Sequence, residues 1–489
     1  MYRRLSAFPS RYTVLLAFGV VSVVNYAFGL AMGWLLAPAA FGLLAFAQTI
    51  LLIGGLVLNS GFCQALTLSV VQAPAERRPA IVRGAALANV VLGMLMGGMV
   101  LLLYGVGLIH AGLETAPTAL LVAATFPFIA LKAIACAGAQ ARERYAMMAS
   151  LSVVEIVLKA MSGVVFVLLG YGVDGAVAGF LFGSLVSALL GCWLLVHLYG
   201  VPWGAIERPA PRLAAGVFGA LLGLALLLNL DLMALKLFSH ANSAVVGRYQ
   251  ASSILANVLY FLVVALLPIL FVSLARSDGL AHTGAAIGGA LRLALVVVAP
   301  LEFLLALAPD LALRTFFPPA YAAGAAALRL LALGNAAVIL VAVLCAPFQA
   351  THQARIPARI LLSVVSVEAI VLSVVVPRWS AVGASSTFLL AALIALGLLS
   401  RAYARVLGRD AVRGVLAWLG RYAASLVLGA MGTVAVAHAH APLPMSVALG
   451  VVCYACGVFL AGLMEAKAPT SSATRVAAGL ARSPLETGQ

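Results

Sequence analysis

Eight ionisable side chains fall inside stretches that are otherwise apolar: Lys132, Lys159, Lys236 and Arg329, with Glu155, Asp231, Glu302 and Glu368. The chain around them is 64% hydrophobic and only 9% charged. On insertion scales an ionised group at the centre of a membrane helix costs about 2.5–3.5 kcal/mol, so such groups face a protein interior or a wet cavity. Carboxylates placed there are candidates for binding H+ or Na+, because burial and nearby cations pull a carboxyl group's proton affinity in opposite directions.

Plainer arrangements compete with these roles. Glu155 and Lys159 are spaced i,i+4 on one helix face, so a private ion pair accounts for both. Lys236 lies near the end of its segment, where a long stem can snorkel to the headgroups. Asp231 and Lys236 differ as a pair: five residues at about 100° each leave them about 140° apart around a helix. They cannot neutralise each other well, so Asp231 needs a partner on another helix or a water-filled space.

The elements that carry these groups are transmembrane helices. The chain has 489 residues, a mean hydropathy of +1.15 and many apolar runs of the length that crosses a bilayer, which is about 20 residues of helix. A β-barrel is excluded, because its strands alternate polar and apolar over about 10 residues and these runs do not. We place about 14 helices, near 12–36, 41–66, 84–108, 117–139, 148–169, 173–199, 213–238, 250–274, 286–308, 325–347, 358–377, 381–400, 421–439 and 443–463. The first is too long for a signal-peptide core and has no small-residue cleavage site before polar sequence, so it is expected to be retained. Threaded from a cytoplasmic N-terminus, the loops place 22 of the 29 lysines and arginines inside, with four left within segments. Only Arg248, Arg314 and Arg378 fall outside, which satisfies the positive-inside rule and puts both termini in the cytoplasm. The net charge of +15 is therefore topological, and no nucleic-acid partner is called for.

Repetition organises the chain. "CAGAQA" (Cys136–Ala141) ends the fourth segment and "CAPFQA" (Cys345–Ala350) ends the tenth. "LSVVEIVL" opens the fifth, "LSVVSVEAIVL" lies in the eleventh, and each carries one glutamate, Glu155 or Glu368. Asn25 stands before Gly42 much as Asn229 stands before Gly247. Helices 1–6 therefore read as a weak copy of helices 7–12, and parallel repeats imply two pseudo-symmetric six-helix lobes. The expected division is 1–205 for the N-lobe, 206–405 for the C-lobe, and 406–489 for a linker, two further helices and a tail. The arginine-rich stretch 401–421 is amphipathic and is expected along the inner membrane surface. Gly175, Gly179, Gly183, Ser187 and Gly191 form a small-residue stripe suited to close helix packing.

Other features carry less. Asn25 and Asn229 are expected to hydrogen-bond between helices, and Pro127, Pro268, Pro300 and Pro347 to mark bends. Cys453-x-x-Cys456 and the His438/His440 pair have metal-ligand types, but neither has further ligands nearby; packing and interfacial residence account for them. No Walker A phosphate loop is present, and no connection is long enough to be a soluble catalytic domain.

Three stretches suggest a family. Leu35–Leu66, with its Phe-Gly pair, resembles the start of polysaccharide-transporter, Wzx-type flippases of the multidrug/oligosaccharidyl-lipid/polysaccharide (MOP) exporter superfamily. Ser239–Arg276, with Val-Gly-x-Tyr, is similar to that family's helix 7–8 region, and Phe316–Ala337 to the approach to helix ten. The resemblance implies a V-shaped, alternating-access protein of the bacterial inner membrane. It would move an undecaprenyl-diphosphate-linked oligosaccharide, an O-antigen, capsule or exopolysaccharide unit, from the cytoplasmic to the periplasmic leaflet. Lys132, Lys159, Lys236 and Arg329 are then the expected contacts for diphosphate and sugar, and Asp231, Glu155, Glu302 and Glu368 the candidates for H+ or Na+ coupling. No cofactor, metal or catalytic residue is expected; membrane lipids, a polysaccharide polymerase and a chain-length protein are expected partners. The rivals are a drug/cation antiporter of the same superfamily and a membrane polysaccharide polymerase or ligase.

Overall fold

The computed structural model describes residues 10–200, 204–207, 215–238, 243–275, 301–302, 304–350 and 353–407. They belong to a unit spanning Met1–Arg409; a second unit, Asp410–Gln489, lies outside the described residues. The described elements are helical throughout, as a bilayer demands of a chain that must satisfy its backbone groups internally. They are α1 (Ser10–Leu35), α2 (Pro38–Gln72), α3 (Arg78–Gly105), α4 (Ala116–Ala141), α5 (Tyr145–Phe166) and α6 (Gly172–Tyr199), then α7 (Ala215–Leu227), α8 (Leu230–Phe238), α9 (Ser243–Ala275), α10 (Pro309–Phe316), α11 (Ala325–Ala350) and α12 (Arg355–Leu407). Among the described residues seven stretches are long and apolar enough to cross a membrane, or eight if α7 and α8 together form one span.

The helix starts have local causes. Prolines sit in the first turn of α2, α3 and α4, where a missing N–H costs nothing. At α4 the Thr115 hydroxyl also accepts a hydrogen bond from Thr118 N. The helices α4 and α11 end at the Gln-Ala of their repeated motifs, Gln140-Ala141 and Gln349-Ala350. Gly170, at φ 93, takes the left-handed turn that lets α6 fold back along α5.

One expected boundary changes. The segment expected at 213–238 is not one helix but two, α7 and α8, bent by 50° at Leu228–Asn229. Asn229 turns its side-chain amide back to the Ala225 carbonyl at 2.8 Å, a local bond that competes with helix continuation. The segments expected at 358–377 and 381–400 are the two parts of α12, which kinks between them at Ser380 (φ 46, ψ −128). The helices expected near 421–439 and 443–463 lie outside the described residues, as does most of the one near 286–308. The same holds for the 408–421 part of the arginine-rich stretch, for His438 and His440, and for Cys453 and Cys456.

Helices α1 to α6 pack on one another, with α4, α5 and α6 at their centre; α7, α8, α9, α11 and α12 form a second packed group. The small-residue stripe of α6 explains the first group. A Cβ on Gly183 would lie 2.8 Å from both the Glu155 carbonyl and the Lys159 nitrogen, and one on Gly191 would lie 2.8 Å from the Ala135 methyl. Ser187 Oγ donates to the Leu151 carbonyl at 3.2 Å. The stripe thus seats the backbone of α5 directly on α6. Overpacking such a contact costs about 1–3 kcal/mol, so Gly183→Leu is expected to lower the thermal midpoint of the detergent-solubilised protein. An unchanged midpoint would mean that α5 and α6 can part freely.

The groups meet along α1 and α2 against α9. At the end carrying the α1–α2 connection, here called the upper end, the contact is backbone on backbone. Gly42 and Gly247, the two glycines that the repeat pairs, face each other: a Cβ on Gly42 would strike the Ser243 carbonyl and one on Gly247 the Pro38 carbonyl. Trp34 Nε1 donates to the Phe316 carbonyl at 2.9 Å, and Tyr321 Oη to the Leu36 carbonyl at 2.9 Å. Phe41 packs edge-on to Tyr321 at 5.8 Å between centroids.

Candidate functional site

The first cluster lies among α4, α5 and α6. Lys132 Nζ is 2.8 Å from a Glu155 carboxylate oxygen, and both side chains are largely buried. Ser184 Oγ, on α6, donates to the other Glu155 oxygen at 3.3 Å. Lys159 therefore does not form the private i,i+4 pair with Glu155 that the spacing allowed. Its ammonium lies 3.9 Å above the centroid of the Phe180 ring, a favourable seat for a desolvated cation. Phe28 of α1 closes on Phe180 edge-to-face at 5.6 Å. The physical reason for the change of partner is depth: an i,i+4 pair gains only about 0.2–0.5 kcal/mol, whereas a close charge pair between helices is strengthened by the low local dielectric. With two ammonium groups and only one carboxylate, the cluster carries a net positive charge.

The second cluster lies among α8, α9 and α12. Asp231 stands in the first turn of α8, just past the bend, and one carboxylate oxygen accepts from Leu232 N at 2.7 Å. Tyr249, buried on α9, donates its hydroxyl to the other oxygen. Glu368 of α12 lies close enough to interact electrostatically with both Asp231 and Tyr249. It is buried, and neither of its oxygens has a hydrogen-bond partner among the described residues. Tyr249 was not singled out from sequence as a site residue. The signal was present in the Val-Gly-x-Tyr motif and in the demand of Asp231 for a partner on another helix.

Lys236 does not snorkel. Its side chain is 4% exposed and its ammonium lies 3.6 Å from Glu114, in the α3–α4 connection. It also donates to Ser243 Oγ at 2.5 Å, and that hydroxyl donates on to Glu114 at 3.0 Å. Arg329 is exposed and donates Nε to the Ala306 carbonyl at 3.0 Å. Glu302 is buried, with neither oxygen partnered among the described residues. The eight expected site residues are thus distributed: three form the first cluster, two the second, and Lys236, Arg329 and Glu302 stand apart. Among the described residues no group of three or more His, Cys, Asp or Glu is placed to hold a metal.

Apolar helices of bilayer length enclosing these buried charges make this a polytopic helical membrane protein. The structure is similar to the lipid II flippase MurJ in an inward closed conformation, at a TM-score of 0.71 and 13% identity over 92% of this chain and 99% of that one. It is similar to an inward-facing multidrug resistance MATE family transporter of the MOP superfamily, at 0.59 and 13% over 81% and 95%. It is also similar to a MOP superfamily transporter from Pyrococcus furiosus, at 0.54 and 14% over 83% and 96%. At these identities the likeness is one of fold. No curated protein matches in sequence. Residues 31–323 match the family described as polysaccharide biosynthesis protein, and the chain belongs to that family.

Proposed function

We propose that the protein is a flippase that carries an undecaprenyl-diphosphate-linked oligosaccharide from the cytoplasmic to the periplasmic leaflet of the bacterial inner membrane. The observation that carries this reading is the net-positive Lys132–Glu155–Lys159 cluster, set at membrane depth in a chain of a polysaccharide biosynthesis family. A diphosphate brings charge that lipid cannot solvate, and a cation already desolvated on an aromatic face gains most from meeting it. The two helix groups act as lobes, 1–205 and 206–405, that rock about the substrate while the polyprenyl tail stays in lipid. Asp231 and Glu368, together beside a broken helix, are the ion-coupling pair: the unwound backbone and the C-terminal end of α7 at that break are the kind of place where transporters hold coupling ions.

Complementation tests the reading. Expressed in a strain lacking its polysaccharide repeat-unit flippase, the protein is expected to restore surface polysaccharide; failure to do so at normal membrane levels would sink it. The likeness to MATE transporters favours drug export as the second reading. Drug resistance on expression, without restored polysaccharide, would establish that instead.

A further inference from the structure

We propose that Glu114, Lys236 and Ser243 form a latch across the upper ends of the two helix groups, which the anionic group of the substrate releases by taking the place of Glu114. The inference rests on the alternating-access reading above and adds to it the event that permits opening. Glu114 belongs to the first group, through the α3–α4 connection, while Lys236 and Ser243 belong to the second. The hydrogen bonds run one way, from the Lys236 ammonium to Ser243 Oγ and from the Ser243 hydroxyl to the Glu114 carboxylate. The Lys236–Glu114 ion pair at 3.6 Å closes the triangle.

The asymmetry of burial sets the direction of the exchange. The Glu114 side chain is half exposed, whereas that of Lys236 is 4% exposed. Separation of the groups at this end returns Glu114 to water at little cost but leaves Lys236 with a buried and unmatched charge. Removing one partner of a buried pair is costly chiefly for that reason. The latch therefore resists opening unless another anion reaches Lys236 and Ser243. A phosphate oxygen meets both needs, because it accepts from the ammonium and from the hydroxyl freed by Glu114. The contact it must loosen is next door: Ser243 is also the residue whose carbonyl packs on Gly42. Ligands shift such an equilibrium only by their differential affinity for the two states. Here the difference is a Lys236 whose charge is met, among the described residues, by Glu114 in the closed state and by substrate in the open state.

The test uses the full chain in lipid nanodiscs, with its six cysteines replaced by alanine. Trp34→Cys and Phe316→Cys, which flank the upper contact, are joined by a short bifunctional thiol reagent, and the cross-linking yield reports closure. Undecaprenyl diphosphate is the probe and undecaprenol the control. In the otherwise unaltered chain the diphosphate is expected to lower the yield about fivefold and undecaprenol to leave it unchanged, the scale of one partly exposed ion pair. Glu114→Gln is expected to show the lowered yield without any probe, and Lys236→Gln to be indifferent to the diphosphate. An equal response to diphosphate with and without Lys236 would overturn the latch and leave the flippase reading standing. No response in the unaltered chain would overturn the latch and count against the flippase reading too.

Discussion

Alanine in place of Lys159 is expected to reduce flipping of a polyprenyl-diphosphate-linked sugar by about 100-fold, without loss of folded protein. Lys159 has no hydrogen-bonded carboxylate in the described structure and sits on the Phe180 ring. Its removal leaves no acidic group newly stranded, because Glu155 keeps Lys132 and Ser184. What is lost is the spare charge. A charge-assisted bond of up to about 3 kcal/mol corresponds to about 100-fold. Lys132→Ala behaves differently. It strands the Glu155 carboxylate among buried neighbours, at a cost of about 3–5 kcal/mol, so transport is lost along with stability. The double change Lys132→Ala with Glu155→Ala removes both charges and leaves Lys159, so the cluster keeps its net charge. That variant is expected to recover both the thermal midpoint and most of the transport. Reconstituted flipping, read beside thermal stability for the three variants, separates charge from scaffold. Full transport by Lys159→Ala at normal stability would remove the cationic site from the mechanism.

The sequence disclosed most where physical demand leaves few solutions. Apolar runs of bilayer length gave the helices, and the α6 stripe announced a close helix contact that the structure places under Glu155 and Lys159. The repeat announced more than it was asked to. Gly42 and Gly247, matched only as equivalent positions, prove to touch across the two groups, as residues related by an axis between the groups can. Partner choice was the illegible part. The spacing of Glu155 and Lys159 offered a pair within one helix, and only the arrival of α4 gives Glu155 a better one. The end-of-helix position of Lys236 suggested the headgroups, because nothing local reveals that a connection 122 residues earlier brings Glu114 to it. The break at Leu228–Asn229 was hidden by uniform apolarity on both sides; its one local mark is Asn229, whose side chain folds back on its own helix.

Asp231→Asn is expected to uncouple transport from ion gradients while leaving the fold intact. Asparagine has nearly the shape of aspartate, and its carbonyl oxygen can still accept from Leu232 N or from the Tyr249 hydroxyl. It cannot carry the negative charge. Asp231 and Glu368 lie within electrostatic reach of each other, and neither forms an ion pair with a cation among the described residues. Two carboxyl groups in a dry setting call for a proton or a cation between them. A lobe movement that changes their wetting changes how well that ion is held. In proteoliposomes a gradient of one pH unit is worth about 1.4 kcal/mol per proton, and a tenfold Na+ gradient is worth the same. The unaltered protein is therefore expected to shift its leaflet distribution about tenfold under one of the two gradients, and the Asp231→Asn protein under neither. Tyr249→Phe removes a donor but no charge, so it should weaken the response without abolishing it. If Asp231→Asn follows the gradient as the unaltered protein does, coupling resides elsewhere, and buried Glu302, without a hydrogen-bond partner among the described residues, becomes the carboxyl group to test.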